Sequence, residues 1–315
     1  MRRAEDGDLA AALDQARRHH LQVALGAAAL GIVGVAPAEK GDPLPLQLVQ
    51  VAHREHRIGR DRVARVPGPP SAQHVGWHPS FGRSVRLLRE FRFEQPDPDR
   101  FYTALAADSV GQLAHYTDLN GRRLLDVGGG PGYFRAAFEG AGATYLALDA
   151  DVGELSGLGE VARRTVVGSG MRLPFRDGAV DVCYSSNVLE HVPDPWVMVD
   201  EMLRVTRAGG TVFVSYTVWY GPWGGHETAP WHYLGGARAR RRYRRRHGRE
   251  PKNRYGESLF PVTVRAGVAW ARSQRSADVL DLAARYNPWW SQWLLRVPLL
   301  REVVTWNLVI VLSKR

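Results

Sequence analysis

The chain has 315 residues, 44% of them hydrophobic and 23% charged, enough to bury one large core or two small ones. This composition excludes a disordered chain, a collagen and a polytopic membrane protein. The single cysteine, Cys183, excludes an internal disulfide and a cysteine-cluster zinc site. The net charge of +10 is unevenly spread: residues 217–315 carry 18 basic and 6 acidic side chains, whereas residues 81–216 carry 14 and 18. Such asymmetry fits an anionic partner. Arginine outnumbers lysine by 39 to 3, however, as GC-rich coding produces by itself.

In chain order, residues 1–20 look helical and mixed in charge. The apolar run Ala24–Ala38 is shorter than the roughly 20 residues a membrane span needs. Ala36-Pro37-Ala38 mimics a small-x-small cleavage site, but Glu5, Asp6, Asp8 and Asp14 make a poor positive leader. Residues 1–80 are therefore read as a weakly ordered extension, or as upstream sequence translated from an early start codon. Residues 81–120 form two cap helices, SVRLLREFRF and a second opened by Asp97-Pro98-Asp99, since an acid and a proline suit a helix start.

Strands and helices then alternate. RLLDVG, TYLALDA, RTVVG, VDVCYSSN and TVFVSYT read as strands; GYFRAAFEGAG and DPWVMVDEMLRVTRAGG read as helices, the latter running to its Gly-Gly pair. VLDLAARY and VTWNLVIVL add two strands near the C-terminus. The expected architecture is α/β: a Rossmann-like, seven-stranded, mostly parallel sheet with helices on both faces. N-terminal cap helices and an insertion after strand five complete it. Residues 121–217 form the core, 218–274 the insertion, and 275–315 the last two strands around a tryptophan-rich hairpin.

The segment LLDVGGGPGYF, Leu124–Phe134, runs strand, glycine turn, helix, the context of a ligand-cradling loop. Gly128, Gly130 and Gly132 let the backbone approach a ligand closely. Their G-x-G-x-G spacing departs from the G-x-G-x-x-G of dinucleotide folds, because Tyr133 stands in the required position. Asp126 at the end of the first strand would repel a pyrophosphate and suits a ligand bearing an ammonium group. Asp149 ends the next strand, where a carboxylate can accept both hydroxyls of a ribose.

Together with SGMRLPFRDGAVDVCYSSNVLEHVPDP and EMLRVTRAGGTVFVSYT, these segments resemble the successive motifs of class I S-adenosylmethionine-dependent methyltransferases. The likeness is to the branch that includes the ubiquinone and menaquinone enzymes, and it covers residues 120–217. GPWGGHETAPWHYLGG and KNRYGESLF are similar to an actinobacterial branch. The resemblance implies S-adenosylmethionine as cofactor, with Asp126, Gly128, Gly130 and Gly132 around its methionine part and Asp149 at its ribose. It also implies Ser169, Gly170 and Met171 beside the adenine, where Gly-Ser-Gly replaces the usual Gly-Asp-Ala, and Ser186 and Asn187 below the transferring methyl group.

A hydroxyl acceptor needs a base, and histidine suits that role near neutral pH. His191 follows strand four; His226 and His232 lie in the loop after strand five, at the sheet edge where α/β folds bind ligands. The His-Glu-x4-His spacing is not a zincin motif, and no metal is expected. Cys183 sits in an apolar strand as inert core.

Eight of the ten tryptophans follow residue 217, and Ala237–Arg249 holds eight arginines. With Trp289, Trp290 and Trp293 they suggest peripheral contact with an anionic membrane by a cytoplasmic protein. The acceptor is expected to be small or lipid-linked, with oxygen favoured. Nucleic acid is disfavoured, because SSNVLEH stands where an Asp/Asn-Pro-Pro-Tyr motif would follow strand four. A nucleic-acid methyltransferase and a non-catalytic S-adenosylmethionine-binding protein are the alternatives. Oligomeric state is not legible.

Overall fold

A computed structural model describes Trp77 and residues 79–94, 96–155 and 164–315. The expectations for residues 1–76 lie outside the described residues. All those described belong to one compact unit, Ala72–Arg315.

Two helices lead into the sheet, α1 (Phe81–Phe91) and α2 (Pro98–Leu113). Ser80 caps α1 by accepting from the Arg83 amide; Asp97 caps α2 by accepting from that of Arg100, with Pro98 in its first turn. Arg83 ties the two helices together. Its Nε and Nη2 donate to the Asp108 carboxylate at 2.7 and 2.6 Å, and its Nη1 donates to the Arg285 carbonyl at 2.8 Å.

The core runs β1 (Arg123–Val127), α3 (Arg135–Gly140), β2 (Thr144–Asp149), α4 (Val152–Leu155), β3 (Thr165–Val167) and β4 (Val180–Ser186). It continues with α5 (Pro195–Val205), β5 (Thr206–Thr217), α6 (Gly236–His247), α7 (Val264–Ser273), β6 (Ala277–Ala284), α8 (Leu300–Val304) and β7 (Asn307–Lys314). The strand order is β3-β2-β1-β4-β5-β7-β6, parallel except for β7, which is antiparallel to both neighbours. This is the expected seven-stranded α/β sheet.

Strand side chains alternate between two buried layers. Leu125, Cys183, Val212 and Val214 pack with Met198 and Met202 of α5 and Val264 of α7. Leu124, Val182, Tyr184 and Phe213 pack with Leu113 of α2 and Phe138 of α3 on the other face. Each such side chain contributes about 1.5–3 kcal/mol by leaving water. Cys183 is fully buried core, as expected, and burial pushes its thiol up.

Two details differ from the sequence reading. Helix α5 stops at Val205, and Thr206 already pairs with Val180; the register then jumps to Thr211 opposite Val182. Gly209 takes a φ of +69° within this bulge, so the Gly-Gly pair bends a strand where it was expected to end a helix. The tryptophan-rich hairpin between β6 and β7 is helical, a 3-10 segment (Trp289–Arg296) followed by α8. No described helix is long and apolar enough to cross a membrane.

Candidate functional site

The glycine loop leaves β1 at the carboxyl edge of the sheet. Gly128, Gly130 and Gly132 have φ of +80°, +48° and +90°, a region L side chains avoid. A Cβ on Gly128 would collide with the Val188 side chain, whereas among the described residues nothing lies within 4 Å of one on Gly130. The loop is therefore close-packed beneath and open above. Tyr102 of α2 stacks on Tyr133 at 4.7 Å, so the cap helix leans over the loop's end.

Asp126 lies under this loop. It is 2% exposed and accepts a hydrogen bond from the Tyr145 hydroxyl, and a Cβ on Gly129 would touch its Cγ at 3.3 Å. Burial, opposed by the Tyr145 bond, raises its carboxyl to about 7. Its place is support for the loop rather than the open side above it. Asp149 is better placed for a ligand. Its Oδ2 accepts from the Gly130 amide at 3.0 Å and its Oδ1 from the Asp151 amide at 2.9 Å, and each carboxylate oxygen can accept a further hydrogen bond.

Ser169 caps its own turn, its Oγ accepting from the Met171 amide at 3.2 Å. Gly170 faces Met198 and Val127 so closely that a Cβ would sit 3.0 Å from the Met198 sulfur. These residues follow β3, and none of them carries a charged side chain.

Ser186 and Asn187 end β4. Asn187 has a φ of +57°, which asparagine tolerates, and its Oδ1 accepts from the Asn307 amide group at 2.7 Å. The Ser186 hydroxyl accepts from Arg285 Nη1 at 2.7 Å. Arg285 is a site feature the sequence reading missed. It is wholly buried at the end of β6, and its guanidinium also donates to Ser215, Ser109 and Gln112 at 2.8, 2.7 and 3.1 Å. The signal was an arginine directly after an apolar strand, but its reach under β4 and β5 needs the fold.

His191 lies in a 3-10 turn (Leu189–His191) just past β4, and His226 in another (His226–Thr228) after β5. The two rings are 5.2 Å apart, edge to face. The Ser258 carbonyl lies 2.7 Å from His191 Nδ1. A carbonyl only accepts, so Nδ1 carries a proton, and in the neutral ring it is Nε2 that has the lone pair. His226 has a φ of +46°. Burial, with His191 and His232 nearby, pushes its imidazole down to about 3, so it is neutral at physiological pH. Glu190, also missed in the sequence, is 1% exposed beside them.

His232 is not at the mouth of this site, where the loop position suggested it would be. It is 1% exposed, and its ring packs against Trp219 at 5.4 Å and Tyr233 at 4.1 Å. Gly225 presses on it closely enough that a Cβ there would meet the ring.

A methyltransferase-domain family matches residues 125–214. A methyltransferase of Mycobacterium avium, described as uncharacterised, is 53% identical over 246 residues, 74% of this chain and 96% of that one. One of Mycobacteroides abscessus, described likewise, is 50% identical over 246 residues, 74% and 94% of the two chains. Among solved structures, an S-adenosylmethionine-dependent methyltransferase of Mesorhizobium loti is 18% identical, covers 68% of this chain and 98% of its own, and has a TM-score of 0.46.

Proposed function

Because the chain belongs to the methyltransferase family of these mycobacterial proteins, we propose that it moves a methyl group from S-adenosylmethionine to a hydroxyl oxygen of a small or lipid-linked acceptor. The loop geometry fits that cofactor: three left-handed glycines open on one side, with an acid at the end of β2 whose lone pairs face the loop. Gly128, Gly130, Gly132 and Asp149 would hold it, with Ser169–Met171 beside its base and Ser186–Asn187 at the reacting end. The bound cofactor supplies a methyl group on a sulfonium. The protein's part is to align the acceptor, exclude water and receive a proton.

The His191–Ser258 contact is the observation that carries the oxygen-acceptor reading. It fixes one imidazole tautomer at the carboxyl edge with a lone pair available, the arrangement a general base needs. Asn253 steadies the facing His226, its Nδ2 lying 3.4 Å from the His226 ring and donating to Glu227 at 3.1 Å. The test is incubation with methyl-labelled S-adenosylmethionine and separate lipid, polar-metabolite and RNA fractions of the source organism. Label on oxygen in the lipid or small-molecule fraction, lost in His191→Asn, is the expected result. Label confined to RNA would overturn it.

The outer face supports delivery of the acceptor from an anionic membrane. Trp289, Trp290, Trp293 and Leu299 are 57%, 53%, 56% and 83% exposed. They belong to the β6–β7 connection, while α6, with its exposed arginines, belongs to the β5–α7 connection. Trp223 and Trp306 join the two connections, their rings 5.8 Å apart. Indole and guanidinium groups both favour the headgroup zone.

A further inference from the structure

We propose that Glu190, His191 and His226 form a binding site for one divalent transition-metal cation. One ligand atom of each lies within 4.8 Å of the other two, a spacing that small rotamer adjustments close to the metal–nitrogen and metal–oxygen distances of about 2.0–2.2 Å. Two imidazoles and one carboxylate select a zinc-like or manganese-like ion over calcium, which prefers an all-oxygen shell. Three protein ligands leave a coordination position open for an oxygen.

The polar atoms of the cluster point the same way independently. Glu190 is 99% buried by area, being 1% exposed. Its Oε1 accepts from the Thr217 amide at 3.0 Å, but among the described residues its Oε2 has no hydrogen-bond partner. His226 Nε2 is likewise buried without one. A carboxylate so placed is costly unless a cation or a proton balances it. The surrounding contacts also match those of ligating residues. The Ser258 carbonyl accepts a hydrogen bond from His191 Nδ1 and leaves Nε2 as its ligand atom, as outer-shell partners do for metal-bound imidazole. The Phe260 amide donates to the Glu190 carbonyl at 2.8 Å, which fixes the 3-10 turn against the same segment.

The sequence concealed this cluster because its ligands come from two connections, 35 residues apart, with Glu227 and His232 as the more conspicuous neighbours. Both connections start at the carboxyl edge of the sheet, one from β4 and one from β5. With a cation bound, His191 and His226 would be held as ligands, and the cation would supply the acidity for an acceptor hydroxyl that His191 supplies as a base in its absence.

The test is a titration of the full-length, chelator-stripped protein with cobalt(II), followed by visible d–d absorption, with zinc(II) as competitor. The expected result is bands that saturate at one equivalent at this site and are displaced by zinc. Glu190→Gln, which retains the Thr217 bond, and His226→Gln should each weaken binding at least about 100-fold. His247→Gln, at the exposed end of α6, should leave it unchanged. S-adenosylhomocysteine affinity, measured on the same samples, should stay near wild type in all of them, which separates loss of the ion from loss of the fold. Absence of d–d bands in the wild type would overturn the site. So would bands of equal strength in folded Glu190→Gln and His226→Gln. The readout is binding, so a wrong acceptor would leave the cobalt result standing.

Discussion

Replacing Asp126 by asparagine should change how the stability of this protein depends on pH. The carboxyl lies 2% exposed beneath the glycine loop, with the Tyr145 hydroxyl donating to it, and burial raises it from an ordinary 3.8 to about 7. The folded state therefore holds the proton more tightly than the unfolded chain does. Its stabilising effect is complete below pH 4 and is lost as pH rises through about 7. A difference of this size corresponds to about 4 kcal/mol at 1.36 kcal/mol per pH unit. Asparagine is neutral throughout and can still accept from Tyr145. The two proteins should then be similar in urea unfolding at pH 4 and diverge by pH 8, with the variant the more stable by up to about 4 kcal/mol. Parallel stability curves for wild type and Asp126→Asn across that range would refute the buried-carboxyl argument.

Gly128→Ala should weaken S-adenosylhomocysteine binding more than tenfold, because φ is +80° and the new methyl meets Val188. Gly130→Ala has no such neighbour and should be better folded; equal stabilities by thermal melting would contradict the difference. Arg285→Met should destabilise by about 2–4 kcal/mol in denaturant unfolding, since Ser109, Ser186, Ser215 and Gln112 lose a buried donor; a change below 1 kcal/mol would show the guanidinium to be dispensable. Arg241→Ser/Arg245→Ser/Arg246→Ser should abolish salt-sensitive cosedimentation with anionic vesicles, each arginine contributing about 1 kcal/mol, while S-adenosylhomocysteine affinity stays unchanged. Undiminished cosedimentation would remove α6 from the membrane face.

The sheet was legible because its strands are short apolar runs separated by glycine turns, and the pattern LLDVGGGPG fixes strand, loop and helix together. Asp149 was legible for the same reason, as the acid that ends β2. Bends in the ladder were not. Ala208-Gly209-Gly210 has the composition of a helix stop, and only pairing of Thr206 with Val180 makes it a bulge. Asp126 was legible as a residue but not in its orientation, which Tyr145 decides from the neighbouring strand. The histidines separate by packing alone: all three lie in or after connections at one edge, yet His191 and His226 face each other while His232 is enclosed by Trp219 and Tyr233. Arg285 and Glu190 are ordinary charged residues in the sequence. Their importance lies in burial, which depends on chain segments up to 176 residues away.

The central claim is that the glycine loop and Asp149 hold S-adenosylmethionine. Calorimetric titration of S-adenosylhomocysteine and of NADH into wild type and Asp149→Ala tests it most directly. Micromolar or tighter binding of the former is expected in the wild type, with none of NADH. The alanine variant should lose about 1.5–3 kcal/mol of affinity with the charge-assisted ribose bonds. Preference for NADH, or unchanged S-adenosylhomocysteine affinity in Asp149→Ala, would contradict the account.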